Sequence, residues 1–475
     1  MYVLRWMACW CVSAVLIPVI TASAADNRPN IIFIMADDLG YGHLGCYGQT
    51  LIRTPNLDRL ATEGMRFTQA YAGSCVCASS RSVLMTGLHG GHSPVRGNSG
   101  GIPIAPGDVT VAEVLESAGY ATGLIGKWGL GEHGTTGVPY KQGFDEFFGY
   151  LHQIHAHFYY PEYLWHNDQR FMLEGNDGMS GRHVHDELAD RALDYVRRHK
   201  NERFFLYLPF AMPHYELLVP EDSLREYAGR WPETPYTGRN NRPAGYPSDY
   251  APQAQPRAAT AAMITRMDRS VGRLMALLEE LDLERRTIVF FTSDNGATPG
   301  PSDPPFFNAT GGLRGTKGTL YEGGIRTPMI VRWPDKIQAG SVNEHIWSFT
   351  DVMPTLAELG GGTSPENIDG VSVAPTLLGE KAAGRKQKMR EYFYWEHSRL
   401  RAVRAGRWKA VTAKPGFGPN PAIELYDLEK DRGEQHDVAD ANAEVTARMR
   451  RYLTEAHVKP RPQIEPKKPP GRQYQ

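Results

Sequence analysis

The sequence predicts an α/β fold in which helices cover both faces of a mostly parallel central sheet, followed by a smaller C-terminal α+β domain with an antiparallel sheet. In the first part of the chain, short apolar runs rich in β-branched residues alternate with segments that carry helix-start signals, a pattern typical of parallel sheets buried on both faces. After about residue 342 the chain changes to aromatic or alternating runs separated by turn residues, which indicates antiparallel strands.

The predicted strands of the first part are short apolar runs bounded by turn residues. Runs of this length favour buried strands over helices. They are Asn30 to Ala36, Tyr120 to Gly126, Phe204 to Phe210, Thr287 to Ser293 and Pro328 to Trp333.

The predicted helices between these strands have recognisable starts. Pro55 follows Thr54, which places a proline at the first helical position after an N-cap. Thr110 and Glu113 have the spacing of a capping box. A longer helix is predicted over about 258–281, because its apolar residues recur every three or four positions.

The predicted organisation of the 475 residues has four parts. They are a signal peptide over 1–24, an α/β domain over 25–341, an α+β subdomain over 342–458 and a Pro/Lys-rich tail over 459–475. The long stretch between Glu216 and Pro256 has no clear period and is predicted to be a surface excursion or a disordered insert.

The first 24 residues have the three parts of a secretory signal. Arg5 precedes an apolar run of roughly 14 residues, and Ala22-Ser23-Ala24 forms a small-x-small cleavage site. The run is shorter than the roughly 20 residues of a membrane span. We therefore expect export to the periplasm or beyond, without stable membrane insertion. Lys+Arg 52 against Asp+Glu 53 leaves no basic excess, which argues against a nucleic-acid partner.

Unusual polar residues directly follow four of the predicted strands. In a parallel sheet, ligands bind beyond the carboxyl ends of the strands, so we expect these residues to converge on one crevice. They are Asp37 and Asp38, Lys127, His214, and Asp294 with Asn295. Taken alone, each acidic pair is also typical of a turn.

The acidic members of this group supply only oxygen ligands. Carboxylates packed together repel one another, and a hard divalent cation relieves that repulsion. Oxygen-only coordination suits Ca²⁺, with Mg²⁺ as the alternative, and disfavours zinc or copper. The sequence therefore predicts a hard-cation site formed by Asp37, Asp38, Asp294 and Asn295.

The basic members of the group are suited to binding an anion. Arg81, Lys127, His214 and Lys317 would surround the ligand, and Lys317 lies in the glycine-rich segment 311–328. That segment lacks the spacing of a Walker loop. Cations beside a metal favour a tetrahedral oxyanion ester, either sulfate or phosphate.

The mature chain keeps three cysteines, Cys46, Cys75 and Cys77. An odd number leaves at least one thiol unpaired in an oxidising compartment, and such a thiol can be chemically special. A Cys46–Cys75 disulfide is one alternative. The C-x-C spacing and the lack of a second pair argue against a zinc site.

At this point the residues resemble the type I, formylglycine-dependent sulfatases of the alkaline phosphatase superfamily, of the arylsulfatase and N-acetylgalactosamine-6-sulfatase kind. The resemblance covers about 29–458. Its motifs, in the family's order, are "PNIIFIMADDLGYGHLGCYG", "CASSRSVLMTG", "GKWGLG", "LYLPFAMPH", "FFTSDNG" and "LRGTKGTLYEGGIRTP".

The resemblance implies a secreted enzyme that hydrolyses sulfate monoesters, in particular those of carbohydrates. Cys77 would be converted to formylglycine by a formylglycine-generating enzyme; the hydrated aldehyde would attack sulfur and later release sulfate by collapse of the hemiacetal. Arg81 would hold its deprotonated hydroxyl. The resemblance assigns metal binding to Asp37, Asp38, Asp294, Asn295 and the side chain at 77, sulfate binding to Lys127 and Lys317, and leaving-group protonation to His214 with Lys317.

Two positions depart from the family pattern. Ser79 stands where the family usually has proline, within the segment that the modifying enzyme reads. Gly129 stands where many members have a histidine that assists sulfate release, and His155 or His157 could replace it. These two histidines could equally belong to an aromatic-rich loop. The aromatic residues that could stack on sugar rings are Tyr159, Tyr160, Tyr163 and Trp165.

Two other functions stay open at this stage. With Cys77 unconverted, the chain would be a non-catalytic binder of sulfated glycans. A phosphonate or phosphodiester hydrolase sharing the formylglycine is the second alternative. A two-metal phosphatase is disfavoured, because the sequence has no second His-rich metal set.

Overall fold

The computed structural model describes residues 28–98, 101–238, 250–418 and 420–462, so the predicted signal peptide and most of the tail lie outside it. The strands are β1 (Asn30–Ala36), β2 (Met65–Phe67), β3 (Ala70–Tyr71), β4 (Ala121–Lys127), β5 (Glu146–Tyr150), β6 (Tyr163–His166), β7 (Gln169–Met172), β8 (Phe204–Pro209), β9 (Thr287–Ser293), β10 (Met329–Arg332), β11 (Ser341–Asn343), β12 (Trp347–Ser348), β13 (Phe393–His397), β14 (Leu400–Ala405), β15 (Trp408–Thr412) and β16 (Ile423–Asp427).

The helices are α1 (Pro55–Thr62), α2 (Cys77–Thr86), α3 (Val111–Ser117), α4 (Val184–Arg198), α5 (Glu221–Leu224), α6 (Pro256–Glu280), α7 (Glu322–Ile325), α8 (Val352–Gly360), α9 (Ala374–Leu378) and α10 (Ala443–Glu455). Within the described ranges, none of them has both the length and the apolar character needed to cross a bilayer.

A ten-stranded sheet forms the centre of the molecule, with strand order β11-β2-β10-β9-β1-β8-β4-β5-β6-β7. The five middle strands, β9 to β5 in this order, are all parallel to one another. The outer strands β10, β6 and β7 run antiparallel to their inner neighbours. The predicted mostly parallel sheet is therefore confirmed.

β1 shows why the sequence selects this arrangement. All seven of its residues are buried. Because side chains alternate between the faces of a strand, Ile32 and Ile34 join the hydrophobic core on one face, whereas Ile31, Phe33 and Met35 join the core on the other. The continuous apolar run is thus explained by burial on both sides.

Helices cover both faces, as predicted. α6 packs beside α1, α4 and α5 on one face, and α2, α3 and α8 pack together on the other. The predicted capping box is present at α3, where Thr110 accepts from the Glu113 backbone and Glu113 accepts from the Thr110 backbone. Thr54 precedes α1 without capping it, because its hydroxyl bonds to Gly45 and Asp58 instead.

The C-terminal region forms a four-stranded antiparallel sheet, β13-β14-β15-β16, with α10 packed against it. The predicted antiparallel sheet is confirmed. β11 pairs with β2, and α8 packs on α2 and α3, so contacts with the large sheet continue beyond residue 341. The boundary at 341/342 stays a prediction.

The cysteines do not form the disulfide that the sequence left open. Cys46, Cys75 and Cys77 are all free thiols. Cys46 packs against one hydrophobic core, whereas Cys75 belongs to a separate cluster beside the C-terminal sheet. The two thiols are thus held by different parts of the fold.

A buried ion cluster joins the C-terminal sheet to α7 and to β3, which pairs with β12 in a separate two-stranded sheet. Lys409 of β15 lies 3.0 Å from a Glu322 oxygen and 2.8 Å from a Glu434 oxygen, and all three side chains are fully buried. The other oxygen of Glu322 accepts hydrogen bonds from Tyr71 at 2.6 Å and Arg326 at 3.0 Å. Glu322 opens α7, within the glycine-rich segment 311–328.

We expect Lys409→Met to lower the free energy of unfolding by about 3 kcal/mol, because it leaves two buried carboxylates without their shared cation. Urea denaturation of both proteins would measure this loss. Lys381→Met, at an exposed lysine, is the matched control and should change little. Equal stability of the two variants would show that the buried cluster does not hold the C-terminal sheet against α7.

Candidate active site

The candidate site is built where β1 and β9 end side by side. These strands are paired through Ala36 and Ser293, their last residues. Asp37 and Asp38 therefore meet Asp294. The Asp38 backbone N–H donates to the Asp294 carboxylate at 3.1 Å, although the two residues are 256 positions apart in the sequence. Asp38 has a φ of 67°, a left-handed conformation that aspartate adopts more readily than most residues.

Four potential ligand atoms converge at this edge. Asp37, Asp38, Cys77 and Asp294 are all buried, and their ligand atoms lie within 4.8 Å of one another. The Asn295 side-chain amide donates to Asp38 at 2.7 Å, while its Oδ1 is buried without a hydrogen-bond partner among the residues described. An unused buried oxygen beside three carboxylates fits a hard cation. The predicted metal-binding residues are thus brought together.

Each of the three carboxylates is paired with one cation. The predicted anion-binding residues therefore contact the site by forming ion pairs with its carboxylates. They come from three separate elements, which are the end of β4, the glycine-rich segment and α2. The pairs are Lys127 with Asp37 at 2.5 Å, Lys317 with Asp38 at 2.8 Å, and Arg81 with Asp294 at 2.8 Å.

These contacts divide the protonation behaviour of the carboxylates. Burial alone would raise the pKa of Asp37, but Lys127, His214 and Arg81 outweigh it and hold that pKa well below its ordinary value. Burial, with repulsion from Asp37, raises the pKa of Asp294 to about 6. The pKa of Asp38 is raised for the same two reasons, partly offset by Lys317. The carboxylates repel one another, and a bound cation would relieve that repulsion.

Cys77 is the first residue of α2 and points into this cluster. Its Sγ lies 3.3 Å from Asp37 and 3.8 Å from Asp38. Burial, followed by the charge of Asp37, raises the pKa of the Cys77 thiol well above its ordinary value. Because the thiolate is the nucleophilic form, unmodified cysteine would be a poor nucleophile here.

Ser79 lies in the first turn of α2. Its hydroxyl donates to the Val76 carbonyl at 3.3 Å, and the side chain is buried. Proline is tolerated in a first helical turn, where backbone N–H groups lack helical partners. The serine at this position is therefore compatible with the same local backbone as the proline usual in the family.

His214 and His157 form a stacked pair beside the carboxylates. Their ring centroids are 3.9 Å apart with an interplanar angle of 13°. His214 Nε2 lies 3.5 Å from the Asp38 oxygen that also accepts from Lys317. Burial, then Lys317, lowers the pKa of His214 well below its ordinary value.

His155 does not share this position. Its ring packs between Tyr150 and Tyr163, with centroids 4.9 and 4.7 Å away, and burial lowers its pKa to about 3. Of the two histidines suggested as replacements at Gly129, the structure brings only His157 against His214.

The tyrosines suggested for sugar stacking are buried, so that interpretation is wrong for them. Tyr159, Tyr160 and Tyr163 are 0%, 8% and 4% exposed. The hydroxyl of Tyr159 donates to the carbonyls of Ala211 and His214, so this ring supports the loop 211–214 that carries His214. Trp165 is half-buried.

Two functional candidates escaped the sequence analysis, Gln153 and Asn98. Val76, the N-cap of α2, has no side chain able to cap a helix. Asn98 supplies the missing acceptor: its Oδ1 receives the Ala78 backbone N–H at 3.0 Å and the Gln153 amide at 3.1 Å. This places a polar support directly beside Cys77.

Gly129 explains why Gln153 can reach this place. A Cβ built at Gly129 would lie 2.3 Å from Gln153 Oε1, and Gly129 has a φ of 84° that favours glycine. The absence of the expected histidine was a signal in the sequence that another side chain fills this space, but it could not identify which one.

Comparisons with known proteins agree with this geometry. The sulfatase family model matches residues 29–362, and a model described as N-sulphoglucosamine sulphohydrolase, C-terminal, matches 316–459. Arylsulfatase A of Homo sapiens is 34% identical over 480 residues, which covers 89% of this chain and 86% of that protein. N-acetylgalactosamine-6-sulfatase of Canis lupus familiaris is 32% identical over 424 residues, covering 82% and 72%.

A solved structure shares both the fold and the sequence pattern. The structure of Ps i-CgsB in complex with k-i-k-neocarrahexaose matches with a TM-score of 0.73 and 28% identity, covering 90% of this chain and 92% of that one. The family model spans more than half of the chain, and the arylsulfatase A match covers most of it. The chain therefore belongs to the sulfatase family and is a sulfuric ester hydrolase.

Proposed function

We propose that this protein hydrolyses sulfate monoesters of carbohydrates, using a formylglycine made from Cys77 and a bound divalent cation, with Ca²⁺ as the first candidate and Mg²⁺ as the second. The observation that carries the proposal is the buried cluster of Asp37, Asp38, Asp294 and Cys77, in which every carboxylate has its own cationic partner.

The charge balance of the cluster favours an anionic ester once a cation is present. Three carboxylates and three cationic side chains cancel within the buried site. A divalent cation would make the site positive, and a sulfate monoester, which carries one negative charge, would be attracted to it.

The cation would be held by Asp37, Asp38, Asp294 and the free oxygen of Asn295, together with the side chain at position 77. When bound, it would act as a Lewis acid that polarises the oxygens of the sulfate group. Formylglycine at 77 would supply an oxygen nucleophile where the buried thiol cannot.

The side chains of this chain then have separate tasks. A lysine ammonium has three donors, so Lys127 and Lys317 can bind sulfate oxygens while each keeps its hydrogen bond to an aspartate. Arg81 donates to Asp294 and to the Lys127 carbonyl, which fixes both in place. We also propose that Arg81 binds the anionic oxygen of the side chain at position 77, one helical turn away.

His214 is placed to serve the leaving oxygen. Its Nε2 faces Asp38 and Lys317, on the inner side of the site. We propose that His214 takes up a proton when the anionic ester is bound, and that its Nε2 proton then passes to the oxygen that leaves sulfur, as general acid catalysis requires. Over the full reaction, the bond from sulfur to the leaving oxygen breaks and a water oxygen ends on sulfate.

His157 takes the role left open by Gly129 in this proposal. It is stacked on His214, and its Nε2 is buried with no hydrogen-bond partner in the described part of the chain. His155 has neither property. We therefore assign sulfate binding and release to His157 and a packing role to His155.

Carbohydrate is proposed as the class of alcohol because Ps i-CgsB was solved with a hexaose bound. We further propose that residues 1–24 direct export of the chain and that a formylglycine-generating enzyme acts on the segment around Cys77 and Ser79.

Adding Ca²⁺ to chelator-treated protein should raise its melting temperature, because a ligand that binds only the folded state stabilises it by about 2.7 kcal/mol at a hundred times its Kd. Asp294→Asn should abolish most of this shift, as measured by differential scanning fluorimetry. Asp168→Asn, at an exposed residue of the β6–β7 hairpin, should keep it. A shift of the same size in both variants would place the cation elsewhere.

Protein produced with a formylglycine-generating enzyme should carry an aldehyde at position 77. The tryptic peptide 67–81 also contains Cys75, which should stay a cysteine and so provides an internal control in tandem mass spectrometry. Cys77→Ala should reduce sulfate release from 4-nitrophenyl sulfate and sulfated monosaccharides by more than about a thousandfold. Full activity in that variant would refute the nucleophile assignment.

His157→Ala should lower kcat/KM for sulfate esters by about 10² or more, since it removes a group that contacts the reacting sulfate. His155→Phe keeps an aromatic ring in the same packing site and should change kcat/KM by less than about tenfold. Steady-state kinetics on the two variants would measure both values. A larger loss of kcat/KM in His155→Phe than in His157→Ala would transfer the sulfate-binding role to His155.

A further inference from the structure

Tyr250 makes a contact with the site that the proposed reaction does not use. Its hydroxyl lies 2.8 Å from His157 Nδ1, and its ring lies over the His157 ring with centroids 5.8 Å apart and an interplanar angle of 25°. Tyr215 packs on the Tyr250 ring, with centroids 4.6 Å apart, and on the His214 ring, with centroids 5.3 Å apart. The two stacked histidines are thus covered by tyrosines.

Both partners of this hydrogen bond are neutral. Burial raises the pKa of the Tyr250 phenol far above neutrality, and burial, followed by the charge of His214, lowers the pKa of His157 well below its ordinary value. A neutral imidazole carries one proton, on either Nδ1 or Nε2. The hydrogen bond to Tyr250 therefore bears on which nitrogen carries it.

The other nitrogen of His157 is free to serve a ligand. Nε2 is buried and has no hydrogen-bond partner in the ranges that the structure describes. The His157 ring is stacked 3.9 Å from the His214 ring, and His214 Nε2 lies 3.5 Å from Asp38, so the pair lies beside the charged residues of the site. A lone pair at Nε2 would repel a sulfate oxygen, whereas an N–H there would donate to it.

We propose that Tyr250 is a positioning residue: its hydroxyl donates to His157 Nδ1, which keeps the proton of His157 on Nε2 as a hydrogen-bond donor for the sulfate group. The inference rests on the proposed function for the identity of the anion. The tautomer itself is a property of the protein without substrate.

Hydrogen bonds connect the segment of Tyr250 to the turn that carries His214. The next residue, Ala251, donates its backbone N–H to Glu216 Oε1 at 3.4 Å, and Glu216 in turn donates its backbone N–H to the His214 carbonyl at 2.9 Å. The segment that carries Tyr250 is thus tied to the turn that carries His214.

The direct test is nuclear magnetic resonance of the full mature chain with ¹⁵N-labelled histidine, in which His157 is assigned from the spectrum of His157→Gln. We expect Nδ1 to have the shift of an unprotonated nitrogen and Nε2 that of a protonated one. In Tyr250→Phe, which keeps the ring, the two shifts should move toward a mixture of tautomers. A protonated Nδ1 in the unmodified chain would overturn the inference.

Kinetics and binding provide the functional readout. Tyr250→Phe should lower kcat/KM for sulfate esters about tenfold and weaken binding of inorganic sulfate, measured by calorimetry. In a His157→Ala background it should have no further effect, because coupled residues are not additive. Tyr140→Phe, whose ring packs against the core on the opposite face of the sheet, is the control and should change neither value.

The outcomes separate the two proposals. If the protein releases no sulfate from any ester, but Tyr250→Phe still shifts the tautomer and weakens sulfate binding, only the proposed reaction fails. If the enzyme is active and Tyr250→Phe alters neither the tautomer nor sulfate binding, the positioning role fails and the reaction stands. Equal effects of Tyr250→Phe on kcat/KM with and without His157 would also overturn the positioning role.

Discussion

Three carboxylates buried side by side are the constraint on which the rest of this structure depends. Charged groups removed from water are costly unless they are paired. Asp37, Asp38 and Asp294 are each fully buried and each meets one cation. Because these cations come from α2, β4 and the glycine-rich segment, the charge balance of the strand ends holds three otherwise separate elements at one point.

The C-terminal sheet takes part in this arrangement through the glycine-rich segment. The backbone of that segment is fixed on one side by hydrogen bonds from Lys317 to Ala297 and from Gly318 to Cys75. On the other side, Glu322 joins it to Lys409 of β15. The smaller sheet therefore braces the segment that presents Lys317, the lysine proposed to bind sulfate.

The sequence predicted those features that local physics determines. The apolar run of β1 and the capping box at Thr110 follow from burial and from backbone hydrogen bonding. The convergence of Asp37 with Asp294 follows from the rule that parallel strands end at one edge. The burial of Tyr159 and the absence of a Cys46–Cys75 bond could not be predicted, because they depend on which distant surfaces pack together.

The substitution at Gly129 shows how one missing side chain reorganises a site. Gln153 fills the space and, through Asn98, supports the first turn of α2. The same loop carries His157 four residues later, stacked on His214. One short segment therefore braces the helix of the proposed nucleophile and supplies the histidine proposed to donate a hydrogen bond to sulfate. A movement of this loop would therefore disturb both groups together.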